Sequence, residues 1–250
     1  MLTPERHNAI YEYLKQNKTA KIRTLAKMLY VSEATVRRDL NEMERLGLVR
    51  RSYGGVVLYE RANGEPAIAV RMEVMPAAKQ RIAMIALQYL NDGATLFFDS
   101  SSTVCALAKI FNKKHKTIVT TGMQAANLLS AHETLTVLMT GGKVTGNSGS
   151  TEGEWTAAQL SQINFDVAVV SCGGIDGTSI TEPTLGQCTI KQTVLKNARK
   201  KILLADENKF GLRLPYRTCT IKDFDLTVTN RRPLDVYLTL FAEQGCKLLY

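Results

Sequence analysis

Ser32, Thr35, Arg37, Arg38, Asn41 and Arg45 lie within one short stretch, Ser32-Glu-Ala-Thr-Val-Arg-Arg-Asp-Leu-Asn-Glu-Met-Glu-Arg-Leu46. Their hydroxyl, guanidinium and amide groups are the donors and acceptors that meet phosphates and base edges in a DNA groove. A second set starts at Asp99-Ser-Ser-Ser-Thr103. Short hydroxyl side chains there let a backbone approach an anion, and the free amides of a following helix can hold a phosphate. Thr121, Gly141-Gly-Lys143, Gly174, Asp176, Lys191, Asp206 and Lys209 extend this set. Lysines supply positive charge and aspartates accept from hydroxyls, a mixture suited to a small phosphorylated sugar or polyol.

The first set needs a helix. At 3.6 residues per turn, Val36, Leu40 and Met43 make an apolar stripe. Ala34, Arg38, Asn41 and Arg45 fall opposite, with Arg37 on the flank. Ser32 is a good N-cap, and Glu33 sits where the helix dipole favours negative charge. Arginines also decorate ordinary solvated helices, so the neighbours decide. A helix over residues 4–17 offers Ile10, Tyr13 and Leu14. A shorter one over 22–29 offers Ile22, Leu25, Ala26 and Leu29, and Tyr30-Val31 is the gap before Ser32. Two β-prone runs flank Gly54-Gly55 and predict a hairpin, or wing, on which Arg50 and Arg51 can touch phosphates. Residues 1–58 therefore read as a winged helix-turn-helix domain for double-stranded operator DNA. Asp39 is expected to orient an arginine, because a carboxylate facing phosphate is repelled.

The second set needs strand ends. Residues 59–76 read as a linker, since 59–66 are polar with Gly and Pro. A helix is predicted over 77–90, then strands over 95–99, 117–121, 135–139, 165–171, 201–205 and 226–229. Helical patterns lie between them over 104–111, 123–131, 155–162 and 189–198. The alternation predicts an α/β domain over 77–250 with a mostly parallel sheet covered by helices. Ligands gather beyond the carboxyl ends of such strands, where the Ser-, Thr-, Gly- and Asp-rich turns fall.

Composition narrows the classes. The chain has 250 residues, 45% hydrophobic, with a formal net charge of +9. Its first 60 residues hold eleven Lys/Arg against seven Asp/Glu, so positive charge is densest where DNA is expected. Five scattered cysteines without a Cys-x-x-Cys pair argue against a disulfide framework or a zinc site. The isolated histidines His7, His115 and His132 suggest no metal, and no cofactor is expected. No apolar run approaches membrane-spanning length and no secretory pattern opens the chain, so a cytoplasmic protein with no membrane partner is expected.

With these residues in hand, the chain resembles the DeoR family of transcriptional regulators over essentially its whole length. Arg6, Ile10, Ser32, Thr35-Val-Arg-Arg-Asp-Leu40 and Tyr53-Gly-Gly-Val56 match the family's helix-turn-helix and wing. Arg71, Lys79, the Asp99–Thr103 turn, Gly141-Gly142, Gly173-Gly-Ile-Asp176, Lys191 and Leu204-Ala-Asp-Glu-Asn-Lys-Phe-Gly211 match its sensor domain. The resemblance implies a sensor fold similar to ribose-5-phosphate isomerase, binding of a phosphorylated sugar, and repression of a catabolic operon that this ligand relieves. The chain departs from the family's Ser-Gly-Thr-Thr at Ser100-Ser-Ser-Thr103. It has Lys143 where a Glu is common and Ser179 where a Gly is usual. Thr184 and Gln187 stand where an Asp and a Glu precede the pocket lysine.

The rival class is a sugar-phosphate isomerase carrying a nucleic-acid domain. Isomerisation needs a base to move a proton between carbons. Gln187 has no useful basicity, and Glu182 is expected in a loop. A sensor rather than an enzyme is therefore expected. A homodimer or homotetramer follows from the few base pairs that one helix reads.

Overall fold

The computed structural model describes residues 3–45, 49–52, 55–58, 67–91, 93–146 and 148–250. They form two compact units, Met1–Met75 and Pro76–Tyr250. The Arg45 side chain, Tyr53 and Gly54 of the expected wing, and residues 59–66 of the expected linker lie outside the described residues.

In the first unit α1 (Thr3–Asn17), α2 (Ile22–Leu29) and α3 (Glu33–Arg45) surround one core. Ile10 and Leu14, Leu25 and Leu29, and Val36, Leu40 and Met43 all turn inward, so three stripes at helical spacing meet. The wing has three strands, β1 (Thr19–Lys21), β2 (Val49–Ser52) and β3 (Gly55–Leu58), antiparallel in the order β1-β3-β2. The three-residue β1 is too short to show a period in sequence. Gly55 belongs to β3 and pairs with both Lys21 and Ser52. A Cβ there would lie 2.6 Å from the Ala20 carbonyl oxygen, so this glycine serves close strand approach. Part of the expected linker is a helix, α4 (Ile68–Glu73). Its Val70 is buried in the same core, with Ala67 and Val74 packed against it.

The second unit opens with α5 (Pro76–Leu87), three residues shorter at its end than the predicted helix. Alternation follows: β4 (Thr95–Phe98), α6 (Ser102–Ile110), β5 (Lys116–Thr120), α7 (Met123–Ser130), β6 (Leu135–Met139), β7 (Lys143–Thr145), β8 (Ser150–Glu152), α8 (Glu154–Ser161) and β9 (Phe165–Ser171). Then come β10 (Gly174–Asp176), β11 (Ser179–Glu182), α9 (Leu185–Lys196), β12 (Ala198–Leu204), β13 (Tyr216–Thr220), β14 (Leu226–Val228), α10 (Asp235–Glu243) and β15 (Lys247–Leu249). The main sheet has seven strands in the order β15-β14-β12-β9-β4-β5-β6, each neighbouring pair parallel.

Alternation along the central strands builds two cores. Phe97, Ala168 and Val170 face one side, with Ile190 and Val194 of α9 and Phe241 of α10. Leu96, Phe98, Val167 and Val169 face the other, with Ile82 of α5, Leu107 of α6 and Leu129 of α7. Burial on both faces is why these strands read as continuous apolar runs. From β4 the chain winds outward to β5 and β6, whereas from β9 it winds the opposite way to β12. Their carboxyl ends therefore flank a topological switch point. Among the described residues no helix is long and apolar enough to cross a membrane.

Candidate functional site

On the first unit, Ser32 Oγ accepts the Thr35 amide at 3.1 Å and lies 2.9 Å from Thr35 Oγ1. This cap fixes the start of α3. Asp39, on the inner face of α3, is 2% exposed. Arg6 donates to its two oxygens from Nε at 2.7 Å and Nη2 at 2.9 Å, tying α1 to α3. That hydrogen bond, against the cost of burial, raises the Arg6 guanidinium above its ordinary value. Asp39 thus holds a structural arginine.

The outward face of α3 carries Arg37, Arg38 and Asn41, all exposed. Arg37 Nη2 donates to Glu33 at 3.2 Å, one turn back. Arg51 on β2 reaches across to Asn41 Oδ1 at 2.7 Å, while its amide donates to Glu44 at 2.9 Å. Helix and wing therefore present one hydrogen-bonded surface. Arg38 and Arg50 are exposed and make no side-chain ion pair among the described residues, so both remain uncommitted.

On the second unit, a small open concavity lies at the switch point. Asp99, Ser100, Thr121, Ser150, Thr151, Glu152, Gln187, Ile190 and Lys191 line it. Asp99, 2% exposed, accepts the Ser101 amide at 2.9 Å and the Ser171 amide at 2.7 Å, pinning the end of β9 to the end of β4. Ser101 caps α6, its Oγ accepting the Val104 amide at 3.2 Å, and α6 supplies no internal acceptor for the amides of Ser102 and Thr103.

Lys191 comes from α9 and lies under this turn. Its Nζ donates to the Ser171 carbonyl at 2.7 Å and to Glu182 Oε1 at 2.5 Å, and stands 3.5 Å from Asp99 Oδ2. Burial alone lowers the affinity of an ammonium for its proton, but the charges of Glu182 and Asp99 outweigh this and raise Lys191 above its ordinary value. Glu182 ends β11 and is 1% exposed, so it does not sit in a loop as expected. A buried carboxylate needs a cation, and Lys191 is that cation. Burial pushes the neighbouring Cys172 thiol up to about 12.

The hairpin of β7 and β8 folds over the ends of β5 and β6. Thr151 donates its amide to the Thr121 carbonyl at 2.9 Å, and its hydroxyl lies 2.8 Å from Thr140 Oγ1. Ser150 Oγ donates to Glu152 Oε1 at 3.2 Å. Thr151, Glu152 and Ile190 were not singled out by the sequence; Ser148, Ser150-Thr151-Glu152 was the available signal, a hydroxyl cluster ending in an acid.

Several expected effector residues have other duties. Gly174 is buried, and a Cβ there would meet the Leu212 carbonyl oxygen at 2.1 Å, so close packing accounts for it. Asp176 faces Arg213 at 3.7 Å on the antiparallel sheet β10-β11-β13 and does not line the concavity. Asp99 was expected to accept from a sugar, but its oxygens already hold two amides. Gly141 and Gly142 dock on α8: the Gly141 carbonyl accepts from Thr156 Oγ1 at 2.8 Å, and a Cβ at Gly142 would meet that oxygen. Lys143 is exposed on β7, and Asp206 caps a short 3-10 turn by accepting the Asn208 amide at 3.0 Å. Lys209 is half-buried, and its charge acts on Cys172. Ser102 and Thr103 are buried at the start of α6.

A family model described as the DeoR-like helix-turn-helix domain matches residues 6–62, and one described as the DeoR C terminal sensor domain matches residues 75–231. The chain is 28% identical over 249 residues to the HTH-type transcriptional repressor GlcR of Bacillus subtilis (strain 168), covering 100% of this chain and 96% of that protein. It is 30% identical over 235 residues to the Glycerol-3-phosphate regulon repressor of Escherichia coli (strain K12), covering 93% of each. Among solved structures, the chain is similar to ribose 5 phosphate isomerase A from Neisseria gonorrhoeae, 17% identical over 58% of this chain and 56% of that one, with a TM-score of 0.40.

Proposed function

The chain belongs to the DeoR family of transcriptional regulators, and from that membership we propose that it represses a sugar-catabolism operon and is released from its operator by a phosphorylated sugar. The observation that carries the DNA-binding half is α3: one face is core, and the other presents Arg38 uncommitted beside the Arg51–Asn41 bridge. Such a helix fits a major groove, with the wing arginines on phosphates. Ser32, Thr35, Arg37, Arg38, Asn41, Arg45, Arg50 and Arg51 are the proposed contacts.

A mobility-shift assay tests this with duplex from the protein's own promoter against random duplex at moderate ionic strength. The promoter duplex binds tighter, and affinity falls steeply with salt as phosphate contacts release counterions. Equal affinity for both duplexes sinks the proposal.

For the effector, the names of the relatives point to repressors, one of a glycerol-3-phosphate regulon. The phosphate is proposed to sit at the Ser100–Thr103 turn, and the hydroxyls toward Thr121, Thr151, Glu152 and Gln187. Lys191 organises the floor, because its charge is already matched by Glu182 and Asp99. A thermal-shift screen with phosphorylated sugars ranks ligands by mass action. Calorimetry with and without operator must then find reciprocal coupling, and identical effector affinity in both excludes a switch.

Catalysis is not part of this reading. Of the two positions on which the isomerase reading turned, Glu182 is bound to Lys191 and does not line the concavity, and Gln187, which does, is no base. Steady turnover of a pentose or hexose phosphate that vanishes in Glu182→Gln favours the isomerase instead. A homodimer or homotetramer is proposed, with half-sites roughly 34 Å or a multiple apart, and sedimentation measures its order.

A further inference from the structure

Among the described residues of the first unit, Tyr30 is the one large hydrophobic side chain left exposed, at 95%. Its backbone is left-handed, with φ 55° and ψ 40°. Tyr30 is the residue just past α2, where its amide donates to the Lys27 carbonyl at 3.3 Å and that of Val31 donates to the Ala26 carbonyl at 3.1 Å. This is the closing turn in which glycine is usual, because a Cβ crowds the left-handed backbone. A bulky aromatic there is strained, and exposure recovers nothing by burial. Folding of the unit does not explain a tyrosine at this place.

Position does. Tyr30 sits two residues before Ser32, the cap of α3. The start of a groove-reading helix is flanked by the phosphates that wall the groove. We infer that Tyr30 is a DNA-backbone contact, its hydroxyl donating to a phosphate oxygen and its ring lying against the adjoining sugar. This inference rests on the proposed reading of α3 as the groove helix. A neutral hydroxyl on a phosphate adds affinity on every sequence and displaces no cation, so it raises general affinity without altering site preference.

Three full-length variants test it, Tyr30→Phe, Tyr30→Gly and Arg50→Ala, each titrated with promoter and random duplex over a range of salt. Tyr30→Phe weakens both duplexes by about three- to tenfold, the effect of one ordinary hydrogen bond exchanged with water. The slope of affinity against salt stays at the wild-type value, whereas Arg50→Ala on the wing, a phosphate contact in this reading, reduces it by about one. Tyr30→Gly loses at least as much affinity while its calorimetric melting temperature is unchanged or higher, since glycine relieves the strain. Wild-type affinity in Tyr30→Phe overturns the inference. So does a loss confined to the promoter duplex, which marks a base reader, or a loss in Tyr30→Gly accompanied by a lower melting temperature, which marks a structural role. Should the wild-type protein itself show no promoter preference, the reading of α3 fails, a result distinct from these.

Discussion

Asp39 and Asp99 are both 2% exposed, yet they are buried for different ends. Asp39 takes a two-pronged guanidinium from Arg6 and joins two helices side chain to side chain. Asp99 takes two backbone amides and faces Lys191, so it joins two strand ends of the parallel sheet. The first arrangement frees the outer face of α3 for a partner, since the carboxylate that would repel phosphate is turned inward. The second consumes the charges of the concavity, leaving hydroxyls, an amide and Glu152 at its surface. Charge is thus offered outward in one unit and spent inward in the other.

Removing the shared cation is the hardest test of this contrast. Lys191→Met takes the ammonium away from buried Glu182 and Asp99 and should destabilise the second unit by about 3–5 kcal/mol. Denaturant titration checks this, and a near-neutral result would mean that the charge is not spent internally. Asp39→Asn should cost the first unit about 2 kcal/mol, because an amide cannot accept both Arg6 prongs. Sugar-phosphate binding by that variant should be unchanged in calorimetry. Arg38→Ala should leave stability alone and weaken operator binding by about 1–3 kcal/mol in a mobility-shift titration; normal affinity would remove Arg38 from the interface.

The smallest effect is on pH. The Cys172 thiol is raised to about 12 in the fold against 9.0 in a free chain. Above pH 9 the unfolded state therefore releases a proton that the native state keeps, and stability falls as pH rises. Between pH 9 and 10 the Cys172 share of the loss is about 1 kcal/mol, and Cys219 and Cys246, whose thiols burial also raises, add to it. Lys191, also raised, adds to that decline only above its free value of 10.5. Denaturation at the two pH values, with Cys172→Ala reducing the slope by its own share, measures this contribution.

Local signals were legible in the sequence. The stripes of α1, α2 and α3 and the apolar runs of β4, β6 and β9 were visible because their periods are continuous. Pairings across long separations were not. Asp39 meets Arg6 and Asp99 meets Ser171 through folding alone. The start of α9 at Leu185 was hidden by Gly186, a glycine kept small by the Glu152 carboxylate, which a Cβ would strike. The short strands β1, β7 and β8 lacked the length to alternate, so Thr151 and Glu152, which stand beside Ser150 in the wall of the concavity, went unnoticed. Residues after 229 carry α10 and β15, beyond where the predicted alternation stops.

Val70 on α4 sets a limit on dissecting the chain. It plugs the three-helix core from a position well past the wing. A DNA-binding fragment cut at residue 58 would carry an apolar socket with its stopper missing, inviting self-association in the test tube. One extended to Met75 keeps the stopper and is the shorter piece worth expressing.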